Sequence, residues 1–136
     1  MPKQIKGNPR RKPPEPSTDH SAIDQWFGEI MPAMQPIVRS LDESIRAAVP
    51  NLQYGVKFHR AFYGLPEIGW IIEIAPYFKS VNILFLGGAG FDPPPLPPPL
   101  GSTGRTRYVK IITVEEGQHP DVRVWMEQAG HTPGWT

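Results

Sequence analysis

The chain has 136 residues, the length of one domain, and a formal net charge of +1. A hydrophobic fraction of 39% permits a packed core, and the absence of cysteine excludes disulfides, thiolate nucleophiles and zinc–cysteine sites. No stretch approaches the roughly 18 apolar residues of a membrane-spanning helix, so we expect no membrane segment. The small net charge gives no general attraction to nucleic acid or to anionic membranes.

Proline divides the chain, since five of its 18 prolines fall within residues 2–16 and six within residues 93–99. Residues 1–18 contain one large aliphatic side chain, Ile5, and no aromatic residue, so they bury too little apolar surface to offset the ordering of the chain. We therefore predict a disordered, basic, proline-rich tail over residues 1–18 and a folded domain over residues 19–136. The tail is favoured to be a solvated leader, with contact to nucleic-acid phosphates as the alternative. No apolar region follows its basic residues, so it does not resemble a secretory signal.

Two helices are predicted at the start of the domain. Apolar residues recur at helical spacing from Ile23 to Ile30, after a run of polar residues that offer N-cap oxygens. A longer apolar stripe runs from Met34 to Val49, and Pro50 ends it. A third helix is predicted from about Pro120 to Gln128, with proline in its first turn and glycine after its end.

The middle of the chain has the composition of strands. Residues 56–63 are rich in aromatics and predict a short strand with a turn, whereas residues 69–76 and 81–86 predict two stronger strands joined by a hairpin. Residues 107–114 alternate and predict a further strand. The order of elements therefore predicts an α+β fold, with helices packed on one face of a small antiparallel sheet.

The run PPPLPPP at residues 93–99 has no backbone N–H at its prolines and predicts an extended stretch. We favour a stiff surface loop between two strands, and the alternative is a ligand for an SH3-like groove.

The sequence does not reveal a reaction. Residues 87–90 (GGAG) follow a strand but lead into prolines rather than a helix N-terminus, which disfavours a phosphate-binding loop. No two of the four histidines stand at i, i+3 or i, i+4, so no helix presents a ready pair of metal ligands. There is no G-x-S-x-G motif. We expect no catalytic residue and no cofactor.

A mixture of aromatic and basic residues is the strongest functional signal in the sequence. It occupies the predicted strands and is suited to an anionic or aromatic ligand, although the aromatics are favoured to be core and the cations a solvated rim. Single-stranded nucleic acid is a less favoured partner, because the domain carries more acidic than basic residues. The candidate ligand-binding residues are Lys57, Tyr63, Trp70, Lys79, Arg105 and Arg107.

Several short motifs resemble one known family in their order and spacing. They are Val56-Lys57-Phe58, Phe62-Tyr63-Gly64, Gly69-Trp70, Phe78-Lys79-Ser80-Val81, Gly88-Ala89-Gly90-Phe91-Asp92-Pro93-Pro94, Arg107-Tyr108, and the ending with Trp125, Gln128-Ala129 and Pro133-Gly134. From about Ile23 to Trp135 the chain resembles the DUF1801 family of YdhG-like domains. The resemblance implies an α+β domain with helices flanking an antiparallel sheet, and implies little about activity.

The leading hypothesis is a YdhG-like domain that binds a small anionic ligand or a partner protein, and a binding protein is favoured over an enzyme. Some relatives of the family are likened to frataxin, so the alternative is a metal chaperone for iron. Such a role needs carboxylate oxygens, and the candidates on the second helix are Asp42 and Glu43. The lack of cysteine fits a cytoplasmic location.

Overall fold

The computed structural model describes residues 12–92 and 105–136. Within these ranges the chain forms five strands and four helices: α1 (Ser21–Phe27), α2 (Gln35–Ala48), β1 (Gln53–Lys57), β2 (Arg60–Leu65), β3 (Gly69–Pro76), β4 (Val81–Phe85), β5 (Arg107–Ile111), α3 (Val114–Gly117) and α4 (Pro120–Ala129). The predicted α+β class and antiparallel sheet are confirmed. The polyproline run at residues 93–99 lies outside the described residues.

The strands form one antiparallel meander in the order β1-β2-β3-β4-β5. One face of the sheet carries a row of small and branched apolar side chains, in which Ala61, Ile74, Ile83 and Val109 are paired across neighbouring strands. These side chains join the main core. Because side chains alternate along a strand, the residues between them face away from the helices.

The helices cover the core face of the sheet. Helix α2 contributes Ile37, Val38, Leu41 and Ile45 to the core, which is the apolar stripe that its spacing predicts. Proline is tolerated in its first turn, where a backbone N–H has no helical partner. Helix α4 also begins with proline and buries Trp125 and Met126 against the sheet.

The structure corrects the predicted elements in two places. The short strand with a turn expected at residues 56–63 is part of a hairpin of two strands, in which β1 and β2 are joined by a two-residue loop at Phe58 and His59. The strand expected to run to residue 114 ends at Ile111, and helix α3 follows it. A capping box starts α3, in which Thr113 accepts a hydrogen bond from the Glu116 backbone N–H.

Part of the predicted tail lies against the sheet. Ser17 and Tyr54 exchange two backbone hydrogen bonds of 3.0 and 2.7 Å, and Lys57 Nζ donates a hydrogen bond to the Lys12 carbonyl. Residues 12–17 therefore run beside β1, in contrast to the boundary expected at residue 18. Residues 1–11 of the predicted tail lie outside the described ranges.

Candidate functional site

Two hairpin turns lie side by side at one end of the sheet. The β1–β2 turn joins Lys57 to Arg60, and the β3–β4 turn follows Pro76. Arg60 reaches across from one turn to the other, since its guanidinium donates a hydrogen bond to the Tyr77 hydroxyl at 3.4 Å. We call residues 57–60 and 76–79 together the hairpin-tip surface.

Large apolar side chains are exposed on this surface. Phe58 is 45% exposed, Tyr77 is 47% exposed and Phe78 is 69% exposed. Met31 is a further exposed apolar residue. It belongs to the same surface, because it lines a shallow cavity of about 270 Å³ together with His59 and Phe78. Exposed apolar side chains that cluster in this way are typical of an interaction surface, whereas scattered ones are not.

The β1–β2 turn holds its two central residues in an unfavourable backbone conformation. Phe58 has a φ of 56° and His59 a φ of 60°, both in the left-handed region. A two-residue hairpin loop of this kind favours Asn-Gly, because other residues cost roughly 1–2 kcal/mol each there. The Trp26 indole N–H donates a hydrogen bond to the His59 carbonyl at 3.2 Å, and this contact anchors the turn to α1. The strained turn places Phe58 at its tip.

Basic side chains surround the exposed rings. Lys57 lies with its Nζ 5.2 Å from the centre of the Phe58 ring, and Lys79 follows Phe78 in an exposed position. Lys57, Arg60 and Lys110 lie on the face of the sheet opposite the helices. Each is next in sequence to a residue whose side chain faces the core, and side chains alternate between the two faces of a strand.

Acidic groups near Lys57, Arg60 and Lys79 are few among the described residues. The buried Glu73 carboxylate forms an ion pair with Arg60, so it offsets one charge of the basic row. Glu29 lines the shallow cavity from the helix side of the surface. Lys57 and Lys79 are therefore left to set a positive potential around the aromatic tips.

The structure brings together only two of the six candidate ligand-binding residues. Lys57 and Lys79 belong to the hairpin-tip surface, whereas Arg105 and Arg107 lie at the other end of the sheet, at the start of β5. Trp70 is buried in a second apolar cluster with Phe62 and Trp135.

Tyr63 lies inside the core and not at a surface. Its hydroxyl donates a hydrogen bond of 2.8 Å to Asp42 Oδ1, and the same oxygen lies 2.9 Å from His20 Nε2. Burial, and then the negative charge of Asp42, raise the pKa of Tyr63 well above its ordinary value of 10.0. The phenol therefore holds Asp42 in place and is not positioned to contact a ligand.

The two acids considered for iron face different environments. Asp42 is 2% exposed and is engaged by Tyr63 and His20, while its neighbour Glu43 is exposed. Residues 12–92 and 105–136 contain no group of three or more His, Asp or Glu side chains with the spacing of a metal site. None of the helices in these same ranges is long and apolar enough to cross a membrane.

The sequence-based candidates omitted the aromatic residues that are most exposed, Phe58, Tyr77 and Phe78. The two basic candidates each adjoin a phenylalanine, as Lys57-Phe58 and Phe78-Lys79. A turn that carries phenylalanine where asparagine or glycine is expected is the signal that identifies such a surface.

Comparison of the chain with protein-family models, with curated proteins and with solved structures gives no match.

Proposed function

We propose that this protein is a binding module whose hairpin-tip surface recognises a segment of a partner protein that combines acidic and apolar side chains. The observation that carries the proposal is the pair of exposed rings, Phe58 and Phe78, on adjoining turns, each next to a lysine in sequence. Aromatic side chains supply large contact areas at interfaces, and surrounding cations favour an acidic partner.

The backbone strain at Phe58 and His59 supports the same proposal. A turn that tolerates two unfavourable residues retains them for a reason other than stability, and such strain concentrates at functional sites. The turn fixes where the Phe58 ring is displayed, so a partner does not have to order it on binding.

The shape of the surface favours a protein segment over a small anion. The cavity between the two turns is shallow, about 270 Å³, and its lining is mainly apolar with Glu29 at one side. A small anion needs converging donors in a concave site, whereas an extended segment uses rings and cations that are spread over a surface. The likeness to YdhG-like domains and the iron-chaperone alternative stay predictions.

Selection from a library of short random peptides on the immobilised full-length protein tests the proposal. We expect the retained peptides to be enriched in Asp and Glu together with Phe, Trp or Leu. Lys79→Glu is expected to weaken their binding about tenfold, which is about 1.4 kcal/mol. Arg105→Glu is the matched control, because it makes the same charge change at the other end of the sheet, and it should leave binding within about twofold.

Three outcomes would contradict the proposal. Enrichment of peptides without acidic residues would remove the electrostatic argument, and an equal effect of Arg105→Glu would show that binding follows net charge. Full competition by citrate at the same ionic strength would identify a small anion as the ligand in place of a protein segment.

A further inference from the structure

A separate cavity of about 410 Å³ lies at the end of the sheet away from the hairpin-tip surface. This volume falls within the range of roughly 300–1,000 Å³ that is typical of small-molecule sites. Its apolar lining consists of Pro13, Pro14, Pro16, Leu65, Trp70 and Trp135.

One wall of this cavity is the proline-containing segment 13–16. The Ser17–Tyr54 pair of backbone hydrogen bonds fastens the end of the segment to β1. Further along, Pro14 packs over Gly55, where a Cβ atom would lie 2.9 Å from the proline ring and 3.0 Å from the Trp70 indole. Glycine at residue 55 therefore allows the proline wall and Trp70 to approach each other.

The opposite wall comes from the other end of the chain. Trp135 and Trp70 exchange two backbone hydrogen bonds of 2.8 Å, which add the segment at Trp135 to β3. This close approach requires Gly69, which has a φ of +102° and at which a Cβ atom would lie 2.5 Å from the Trp135 carbonyl oxygen. Two segments that are distant in sequence are thus fastened to the same end of the sheet.

The chemistry of the lining restricts what the cavity can hold. Proline and tryptophan have few rotatable bonds, so the walls are formed before a ligand arrives. Charged side chains lie at the rim, where Lys12, Glu15 and Glu67 are exposed and of mixed sign. A charged group buried among the rings would lose hydration without a matched counter-charge, whereas an uncharged ring would not.

We infer that this cavity binds an uncharged aromatic small molecule, with its ring system between the proline wall and the indole edges of Trp70 and Trp135. Polar substituents of the ligand lie at the rim, near Gln53 and the mixed charges. The inference is independent of the proposed protein partner, since the two sites share no residue.

Fluorine NMR of the full-length protein labelled with 5-fluorotryptophan tests this inference, with indole as the probe. The chain has four tryptophans, of which Trp70 and Trp135 line the cavity and Trp26 and Trp125 belong to the main core. Indole should shift the Trp70 and Trp135 signals in a saturable way and leave the Trp26 and Trp125 signals unmoved. Amide exchange at Ser17 and Trp135 should slow, because a ligand stabilises the state that binds it.

Charged analogues and two substitutions sharpen the test. Tryptamine is a cation and indole-3-acetate is an anion, and neither should bind more tightly than indole. Hexanol is uncharged but has no ring, and it should bind at least about fivefold more weakly than indole. Gln53→Phe narrows the cavity and should weaken indole binding at least about fivefold. Gln118→Phe should not, because Gln118 follows α3, contacts Ser40 and is not part of the cavity lining. Shifts in all four tryptophans or in none, or tighter binding of either charged analogue, would overturn the inference. Equal binding of hexanol, or equal binding to the Gln53→Phe variant, would do the same.

Discussion

The Tyr63 hydroxyl donates a hydrogen bond of 2.8 Å to Asp42 inside the core, and so links strand β2 to helix α2. His20 binds the same carboxylate oxygen through Nε2, and its Nδ1 lies 3.1 Å from Asp24. Arg46 approaches the other oxygen of Asp42 at 3.6 Å. One buried carboxylate therefore joins β2, the start of α1 and α2.

Tyr63→Phe should lower the free energy of unfolding by about 2 kcal/mol, because it removes a hydrogen bond to a buried charged group. Urea denaturation monitored by circular dichroism measures the change. Tyr77→Phe serves as the control, since the Tyr77 side chain is exposed and its hydroxyl makes a long contact of 3.4 Å with Arg60. Its effect should stay below about 0.5 kcal/mol. Equal losses in the two variants would contradict this role of the Asp42–Tyr63 contact.

The raised pKa of Tyr63 predicts a stability that depends on alkaline pH. The folded state holds this phenolic proton more tightly than the unfolded chain, in which tyrosine ionises near 10.0. The stabilisation is therefore complete below that pH and is lost as the pH rises through the raised pKa. Tyrosinate absorbance should show one phenol that ionises only as the protein unfolds, and this component should be missing from Tyr63→Phe. Release of all four phenolic protons before the natural protein unfolds would refute the prediction.

Two adjacent acids should differ sharply in their effect on stability. Asp42→Asn breaks the contacts of the buried carboxylate with His20 and Arg46 and should cost about 3 kcal/mol. Glu43→Gln changes an exposed side chain and should stay within about 0.5 kcal/mol. Guanidinium denaturation measures the free energy of unfolding of both variants. A comparable loss of stability in Glu43→Gln would contradict the structural role of the buried Asp42 carboxylate.

Elements with a clear period were predictable from the sequence. Helix α2 shows its apolar stripe directly, and β3 and β4 are runs of branched and aromatic residues between turn signals. The β1–β2 hairpin was not predictable, because its turn residues Phe58 and His59 are not those that local preference selects. Tertiary contacts, including the bond from Trp26 to the turn, override that preference.

Replacing the strained turn should raise stability and reduce partner binding together. In Phe58→Asn with His59→Gly, both residues accept positive φ, so the free energy of unfolding should rise by about 1 kcal/mol. Binding of the acidic peptides should fall, because the Phe58 ring is lost from the hairpin-tip surface. Thermal unfolding and fluorescence anisotropy measure the two effects.

Glu67→Asn provides the matched control for this exchange. Glu67 also has a positive φ, of 70°, but it lies in the connection between β2 and β3. Asparagine accepts this conformation, so the replacement should raise stability by a similar route and leave peptide binding unchanged. If the double turn variant binds as well as the natural chain, Phe58 is not part of the recognition surface.

The candidate site was predictable in its residue types and less so in its geometry. Aromatic and basic residues were identified along the strands, yet side chains at adjacent positions in a strand point to opposite faces, and Tyr63 and Trp70 are buried. Which hairpin ends lie together depends on strand order, and this order is set by the packing of the whole sheet. The docking of residues 12–17 was missed because prolines lack the N–H groups of a regular strand.

Backbone amide shift mapping by NMR tests the central claim most directly. The probe is a soluble peptide of glutamates with interspersed phenylalanines, compared with a peptide in which lysines replace the glutamates. We predict that the acidic peptide shifts the amides of residues 57–60 and 77–79 selectively, with an effect that weakens as salt is added, and that the basic peptide does not. Shifts centred on residues 105–111, or equal shifts with both peptides, would contradict the assignment of the hairpin-tip surface as the binding site.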